Sequence, residues 1–264
     1  MPSPRLRTFC STQVRLFATH ADIHSKRSPR ERTFDAVCMA MQAKLHRLDQ
    51  QHHLFTPEVK TVIDVGYAPG NWSQYSKFRL CDVHRIEEDK FNDTCHLLGV
   101  DILFSTPPVK GMSCIQGNIF SKLTHDIVAR HIATFNQPVD LILSDLGMPF
   151  SQLYGFYSNT ISRPHMRLNT NKALQKPMTD VNVAAANLAE ASYFLSRRVL
   201  RLGGSLVVRM GRLTKAPPRE LRDKLENEFG DVVYERDHND HIFVCKDKVT
   251  EPPPLPSPWE AAKL

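Results

Sequence analysis

Short apolar runs alternate along most of the chain with stretches in which apolar residues recur every three to four positions, the pattern of strands interleaved with helices. The runs predict strands at Thr61–Val65, Gly99–Leu103, Ser113–Gln116, Val139–Ser144, Ser205–Met210, Val232–Glu235 and His241–Cys245. Helical spacing falls between most of them, at Trp72–Phe78, Lys122–Phe135, Val181–Leu202 and Pro218–Phe229. Ahead of the first strand, Phe34, Val37, Cys38, Met41, Leu45 and Leu48 share one face of a helix over Phe34–Asp49. Asp180 reads as the N-cap of the long helix and Gly203-Gly204 as its end. The rhythm predicts an α/β fold with a doubly wound, mostly parallel sheet whose last two strands are close enough in sequence to pair as an antiparallel hairpin.

Two segments break the rhythm. Residues 79–97, RLCDVHRIEEDKFNDTCHL, are charged and read as an insertion between the helix and the second strand. The segment 148–179 lacks periodicity and interleaves Tyr154, Phe156 and Tyr157 with Arg163, His165, Arg167, Lys172 and Lys176. A connection this long is functional or disordered, and aromatic rings among cations suit stacking on splayed-out RNA bases.

Composition narrows the classes. The 264 residues suit one large α/β domain with extensions, and no apolar run approaches the ~20 residues of a membrane span, so a soluble chain is expected. Lys and Arg number 34 against 28 Asp and Glu, a formal charge of +6 that leans toward a polyanionic partner. Six scattered cysteines with no C-x-x-C pair indicate neither a zinc site nor a disulfide framework, so reduced thiols are expected. The amino end carries Arg5, Arg7 and Arg15 among Ser and Thr, with no acid before Asp22, which is the composition of a mitochondrial transit peptide or a basic arm. The carboxyl end, with five prolines in TEPPPLPSPWEAAKL, reads as an extended tail.

The most specific signal is the end of the first strand. In TVIDVGYAPGNWSQY a β-branched run breaks into a turn with Gly66 and Gly70 and enters a helix, which brings backbone N–H groups and a helix N-terminus to the carboxyl edge of the sheet. The glycines alone are a weak sign, since the string lacks both the dinucleotide and the P-loop spacing. The whole stretch Asp64–Gln74, D-V-G-Y-A-P-G-N-W-S-Q, resembles the S-adenosylmethionine motif D-L-G-A-A-P-G-G-W-S-Q of the FtsJ-type ribose 2′-O-methyltransferases, with eight of eleven positions identical. Three further stretches match in order: GVDIL with IQGNIF, LILSDLGMPFS, and RVLRLGGSLVVRM.

The resemblance implies a Rossmann-like S-adenosylmethionine-dependent methyltransferase fold with a seven-stranded, mostly parallel sheet and an antiparallel last strand. Together with the composition of the two ends and the unperiodic segment, it divides the chain into a transit peptide or arm over 1–33, a methyltransferase-like domain over 34–248 with an insertion at 148–179, and a tail over 249–264. The cofactor would be held by Asp64, Gly66, Tyr67, Ala68, Pro69, Gly70, Asn71 and Trp72, by Asp101, by Asn118, where the family usually has Asp, and by Asp145. Tyr67 and Asn71 stand where the family has Ala and Gly. Together with the transit-like arm, the resemblance implies ribosomal RNA of the mitochondrial large subunit as substrate, in the matrix, with Arg163, Arg167, Lys172 and Lys176 on the RNA. A monomer is the expected state.

Methyl transfer to a ribose hydroxyl needs an in-line donor and a group that takes or polarises the proton, for which a lysine hydrogen-bonded to acidic neighbours serves. The family uses a Lys-Asp-Lys-Glu tetrad. Its members map onto Lys44, Asp145, Arg209 and either Asp240 or His241, depending on a one-residue shift. Arg209 is the departure, because a guanidinium stays protonated and cannot accept a proton. Three outcomes stay open at this level: Lys44 or His241 takes the proton while Arg209 stabilises the alkoxide, the proton is lost to water, or the chain is a non-catalytic module that binds ribosomal RNA. A methyltransferase acting on a small molecule or protein is a further class with the same sheet and turn.

Overall fold

The computed structural model describes residues 29–103, 105–146, 181–211 and 214–255. Residues 1–28, the segment 148–179 with Arg163, Arg167, Lys172 and Lys176, the proposed cap Asp180 and the end of the tail lie outside the described residues. The chain forms two compact units, Met1–Lys44 and Leu45–Leu264. The described part of the first is the opening of helix α1 (Pro29–His52), which begins five residues earlier than the predicted helix.

The second unit is built on seven strands: β1 (Thr61–Val65), β2 (His96–Asp101), β3 (Ser113–Gln116), β4 (Val139–Ser144), β5 (Leu200–Met210), β6 (Phe229–Asp237) and β7 (Asp240–Lys248). Between them run α2 (Asn71–His84), the short α3 (Phe91–Thr94), α4 (Lys122–Ala133), α5 (Val181–Val199) and α6 (Arg219–Glu228). The spatial order is β3-β2-β1-β4-β5-β7-β6. All neighbours pair in parallel except β7, which runs antiparallel to both β5 and β6. β1 and β4 are buried at every position, as strands covered on both faces must be, which is why their sequences are continuous apolar runs rather than alternating ones. The chain leaves β1 outward through β2 and β3 and crosses back to β4, so the order reverses between β1 and β4 and opens a crevice at their carboxyl ends. α5 packs on β4 and β5 and against α4, burying Leu188, Tyr193 and Leu195 over the face that holds Leu206, Val208 and Met210.

Two sequence expectations are corrected. Residues 79–97 are not an insertion: α2 continues to His84, a single 3₁₀ turn spans Glu88–Lys90, α3 follows and β2 starts at His96. The cause is a sparse apolar set inside the charged stretch, Leu80, Phe91, Cys95 and Leu97, all buried. Nor do Gly203 and Gly204 end α5, which stops at Val199. They lie inside β5, where the partners run from Val139↔Leu200 to Leu141↔Ser205, so β5 carries a bulge. Gly203 adopts φ +68 there, and a glycine serves the bulged strand as it would a helix end. Asp140 fills the space opposite, accepting from Lys60 N at 2.8 Å, Thr61 N at 2.9 Å and Arg201 Nε at 2.5 Å.

Candidate active site

The turn after β1 is shaped by its glycines. Gly66 takes φ +84 and donates its N–H to Val100 O at 2.8 Å, continuing the β1–β2 ladder past the strand end. Gly70 takes φ +115 and forms the N-cap of α2, with Gln74 N donating back to its carbonyl at 2.9 Å. A Cβ on Gly70 would stand 2.2 Å from Pro108 Cβ, so the glycine is required by the close approach of that proline as well as by its backbone angle. No acidic residue occupies the first turn of α2, which leaves the positive end of the helix for an anionic group. Asn71 opens the helix half-buried, and Trp72 is buried. Tyr67 is buried too: its ring lies against Gly99 of β2, and its hydroxyl donates to Ser105 O at 2.8 Å. Its bulk is therefore housed by a glycine on the neighbouring strand.

Three carboxylates stand at or near the carboxyl ends of adjacent strands. Asp64, on β1, is buried, and Ser73 Oγ donates to its Oδ2 while Oδ1 has no hydrogen-bond partner. Burial pushes its carboxyl up to about 7 against the Ser73 hydrogen bond, and the charges of Asp145 and Asp101 add to the rise. Asp101, ending β2, accepts from Ala68 N at 3.1 Å and Leu103 N at 2.8 Å. Burial raises it to about 6, with these backbone donors pulling the other way. Asn118, after β3, accepts from Phe120 N at 3.1 Å through Oδ1. Ser73 was not singled out in the sequence, although it stands in the motif's W-S-Q.

Asp145 follows β4, and its N–H donates to Val65 O at 3.1 Å, which sets it beside the glycine turn. Arg209 on β5 joins it to Asp240: Nη1 donates to Asp145 Oδ1, Nε to Asp240 Oδ2 at 2.9 Å and Nη2 to Asp240 Oδ1 at 3.0 Å. Burial pulls the Arg209 pKa down, but the Asp145 and Asp240 carboxylates outweigh it and hold the guanidinium above its ordinary value. The register places the two candidates for the fourth tetrad position on opposite faces. Arg209 pairs with Ile242 and Met210 with His241, so Asp240 shares a face with Arg209 and His241 lies on the other. There His241 is buried with Nδ1 against the Tyr234 hydroxyl, and Phe243 and Cys245 on the same face belong to the core. Lys44 lies on α1, half-buried, as the last residue of the first unit.

A glycine turn into a helix, acids ending β1, β2 and β4, and this strand order define the S-adenosylmethionine-dependent methyltransferase fold. The profile of the FtsJ-like methyltransferases matches residues 41–246, and the chain belongs to that family. It is 24% identical to the mitochondrial rRNA methyltransferase 2 of Saccharomyces cerevisiae, over 63% of this chain and 66% of that protein. With the ribosomal RNA large subunit methyltransferase E of Cupriavidus necator it shares 31% identity over 39% of this chain and 46% of that one. The chain thus spans about half to two thirds of the length of these curated relatives. The crystal structure of a putative ribosomal RNA methyltransferase from Plasmodium falciparum superposes with a TM-score of 0.57 at 19% identity, covering 80% of this chain and 97% of that one, and so shares the fold.

The residues present suit the family's cofactor, which carries a sulfonium, an ammonium and a carboxylate. The buried Oδ1 of Asp64 lacks a donor, acids at adjacent strand ends favour a cation, and the unblocked N-terminus of α2 favours a carboxylate.

Proposed function

We propose that the protein methylates a ribose 2′-hydroxyl of large-subunit ribosomal RNA in the mitochondrial matrix, with S-adenosylmethionine as donor and as a monomer. The observation that carries this reading is the Asp145 carboxylate, set beside the glycine turn and held by Arg209, which also binds Asp240. The names of the yeast and bacterial relatives support ribosomal RNA as substrate, and the yeast name together with the arginine-rich, acid-poor amino end supports the mitochondrion.

When bound, the cofactor supplies an electrophilic methyl group on a sulfonium. Asp101, its carboxylate already oriented by two backbone amides, would accept from the donor's ribose hydroxyls. The side chain of Asn118 uses its oxygen on Phe120 N and would offer its NH₂ to the adenine. The N-terminus of α2 would take the carboxylate, and Asp64 and Asp145 would favour the positive groups. On the substrate side, Arg209 would keep Asp145 in place and offset charge that grows on the ribose oxygen, and the family resemblance assigns the role of proton acceptor to Lys44, which must be neutral to take the proton. What supports Lys44 is its place inside the matched region.

The test is incubation of the full chain with S-adenosylmethionine and organellar large-subunit rRNA, followed by digestion and mass spectrometry of the nucleosides. A new 2′-O-methylated nucleoside that vanishes with Asp145→Ala is expected, and its absence with the parent protein overturns the enzyme reading. A second reading, binding of ribosomal RNA without catalysis, is favoured by one observation: Arg209, where the family has a lysine, holds two carboxylates and cannot accept a proton. It predicts RNA binding with no calorimetric heat on titration with S-adenosylmethionine.

A further inference from the structure

Lys77 is a lysine in a place made for an apolar side chain. It lies on α2 in the buried stripe Trp72, Ser73, Ser76, Lys77 and Leu80, and only 5% of it is exposed. Its ammonium donates to Lys110 O at 2.8 Å, lies 5.5 Å from the Phe91 ring centroid and approaches Glu88 Oε2 at 3.6 Å. Glu88 is largely solvent-exposed, so the firm partner is the carbonyl. Burying an ammonium to satisfy one backbone oxygen does little for stability, since a methionine of similar volume would pack against Phe91 without the desolvation. The contact instead fixes where Lys110 sits.

Lys110 belongs to residues 105–111, which lead from β2 into β3 and are pinned at three successive points. Tyr67 holds Ser105 through its hydroxyl, Pro108 rests on Gly70, and Lys77 holds Lys110. Tyr67 and Gly70 are the turn itself, and Lys77 stands two helical turns further along the helix that leaves it. The run also starts four residues beyond Asp101, whose carboxylate bridges Ala68 in the turn and Leu103. One helix thus sets both the glycine turn and the wall that borders it.

We propose that Lys77 is a positioning residue for cofactor binding: through Lys110 it locks residues 105–111 against the glycine turn and so fixes the affinity for S-adenosylmethionine without touching it. This rests on the methyltransferase reading above for its ligand, but not for the latch. The experiment compares the parent chain with Lys77→Met, Lys77→Arg and Tyr67→Phe by hydrogen exchange with mass spectrometry and by calorimetric titration with S-adenosylmethionine. In Lys77→Met the amides of 105–111 should exchange about tenfold faster while β1 and β4 stay protected. The dissociation constant should rise by about fivefold to tenfold, with kcat at saturating cofactor unchanged. Lys77→Arg should restore both in part, and Tyr67→Phe should loosen the Ser105 end alone.

Unchanged exchange in 105–111 overturns the latch, and faster exchange with unchanged affinity overturns the positioning role. Should Lys77→Met fail to fold, Lys77→Arg carries the same two readouts with smaller changes expected. If the parent binds no cofactor, the proposed function fails by itself and the exchange comparison still decides the latch.

Discussion

At the scale of single residues, the proposed chemistry turns on Arg209. Its three donor nitrogens are occupied by Asp145 and Asp240, so it clamps but cannot titrate. Arg209→Lys should place a titratable amine between the same two carboxylates. The expected outcome is a single-turnover rate raised about tenfold or more, with an ionisation in the pH–rate profile that the parent lacks, read by methyl transfer to rRNA across pH 6 to 9. A rate that falls without any new ionisation would show that the guanidinium itself is needed. Asp64 carries a second prediction. Its carboxyl rises from 3.8 to about 7 on folding, so between those values the folded chain holds the proton that the unfolded chain has lost. Such a group contributes stability that is full below pH 3.8 and lost as pH rises through 7. Asp64→Asn removes this loss, and its Tm relative to the parent should climb from pH 5 to pH 8, which calorimetry would show; a constant difference would contradict the shift. These acids were legible as motif members, and Arg209 as a departure. The choice between Asp240 and His241 was not, because a one-residue slip reverses the face of the sheet and only the partner strand fixes the register. Nor was the place of Tyr67, since the room for its ring is supplied by Gly99 on another strand.

At the scale of elements, β1 and β4 were legible to the residue because buried central strands write themselves as uninterrupted apolar runs bounded by turn residues, and the edge strand β3 has its predicted bounds although it is only partly buried. What stayed hidden were elements whose burial is sparse. The continuation of α2 and the short α3 bury one residue in several, so their charged exposed positions mask them and the start of β2 that follows. β5 hid its first residues behind two glycines whose role depends on Asp140 across the sheet. The end of β7 holds another feature that no periodicity marks. Lys248 is buried, and its ammonium donates to Leu200 O at 2.9 Å and Arg197 O at 3.3 Å, bridging the last turn of α5 and the first residue of β5 near Glu228. Lys248→Met would leave those two oxygens without their donor and would remove a buried cation beside Glu228, where Arg197 stays at 3.5 Å. It should cost about 3 kcal/mol, read in urea as a lower midpoint with an unchanged slope. An effect below about 0.5 kcal/mol would place Lys248 among ordinary surface cations.

At the scale of the whole molecule, the same acids that weaken the ligand-free protein at neutral pH should strengthen its hold on a cation. Asp64 and Asp101 titrate near 7 and 6, so they are largely protonated at pH 5.5 and largely ionised at pH 8. A cofactor with net positive charge prefers the ionised pair, and by linkage its binding must expel protons wherever the pair is still protonated. Binding to the folded chain alone adds RT ln(1 + [L]/Kd), about 2.7 kcal/mol at a hundredfold excess over Kd, which raises Tm by roughly 5 to 10 °C in a protein of this size. At fixed ligand concentration each tenfold loss of affinity removes about 1.4 kcal/mol of that gain. The Tm rise given by S-adenosylmethionine should therefore be large at pH 8 and shrink toward pH 5.5, even as the ligand-free protein moves the other way. Titration at pH 6.5 in two buffers of different ionisation enthalpy should report net proton release. A Tm rise that is the same at both pH values, with no proton exchanged, would mean that the acids ending β1 and β2 do not face the ligand, and the cofactor would have to be sought elsewhere on the sheet edge.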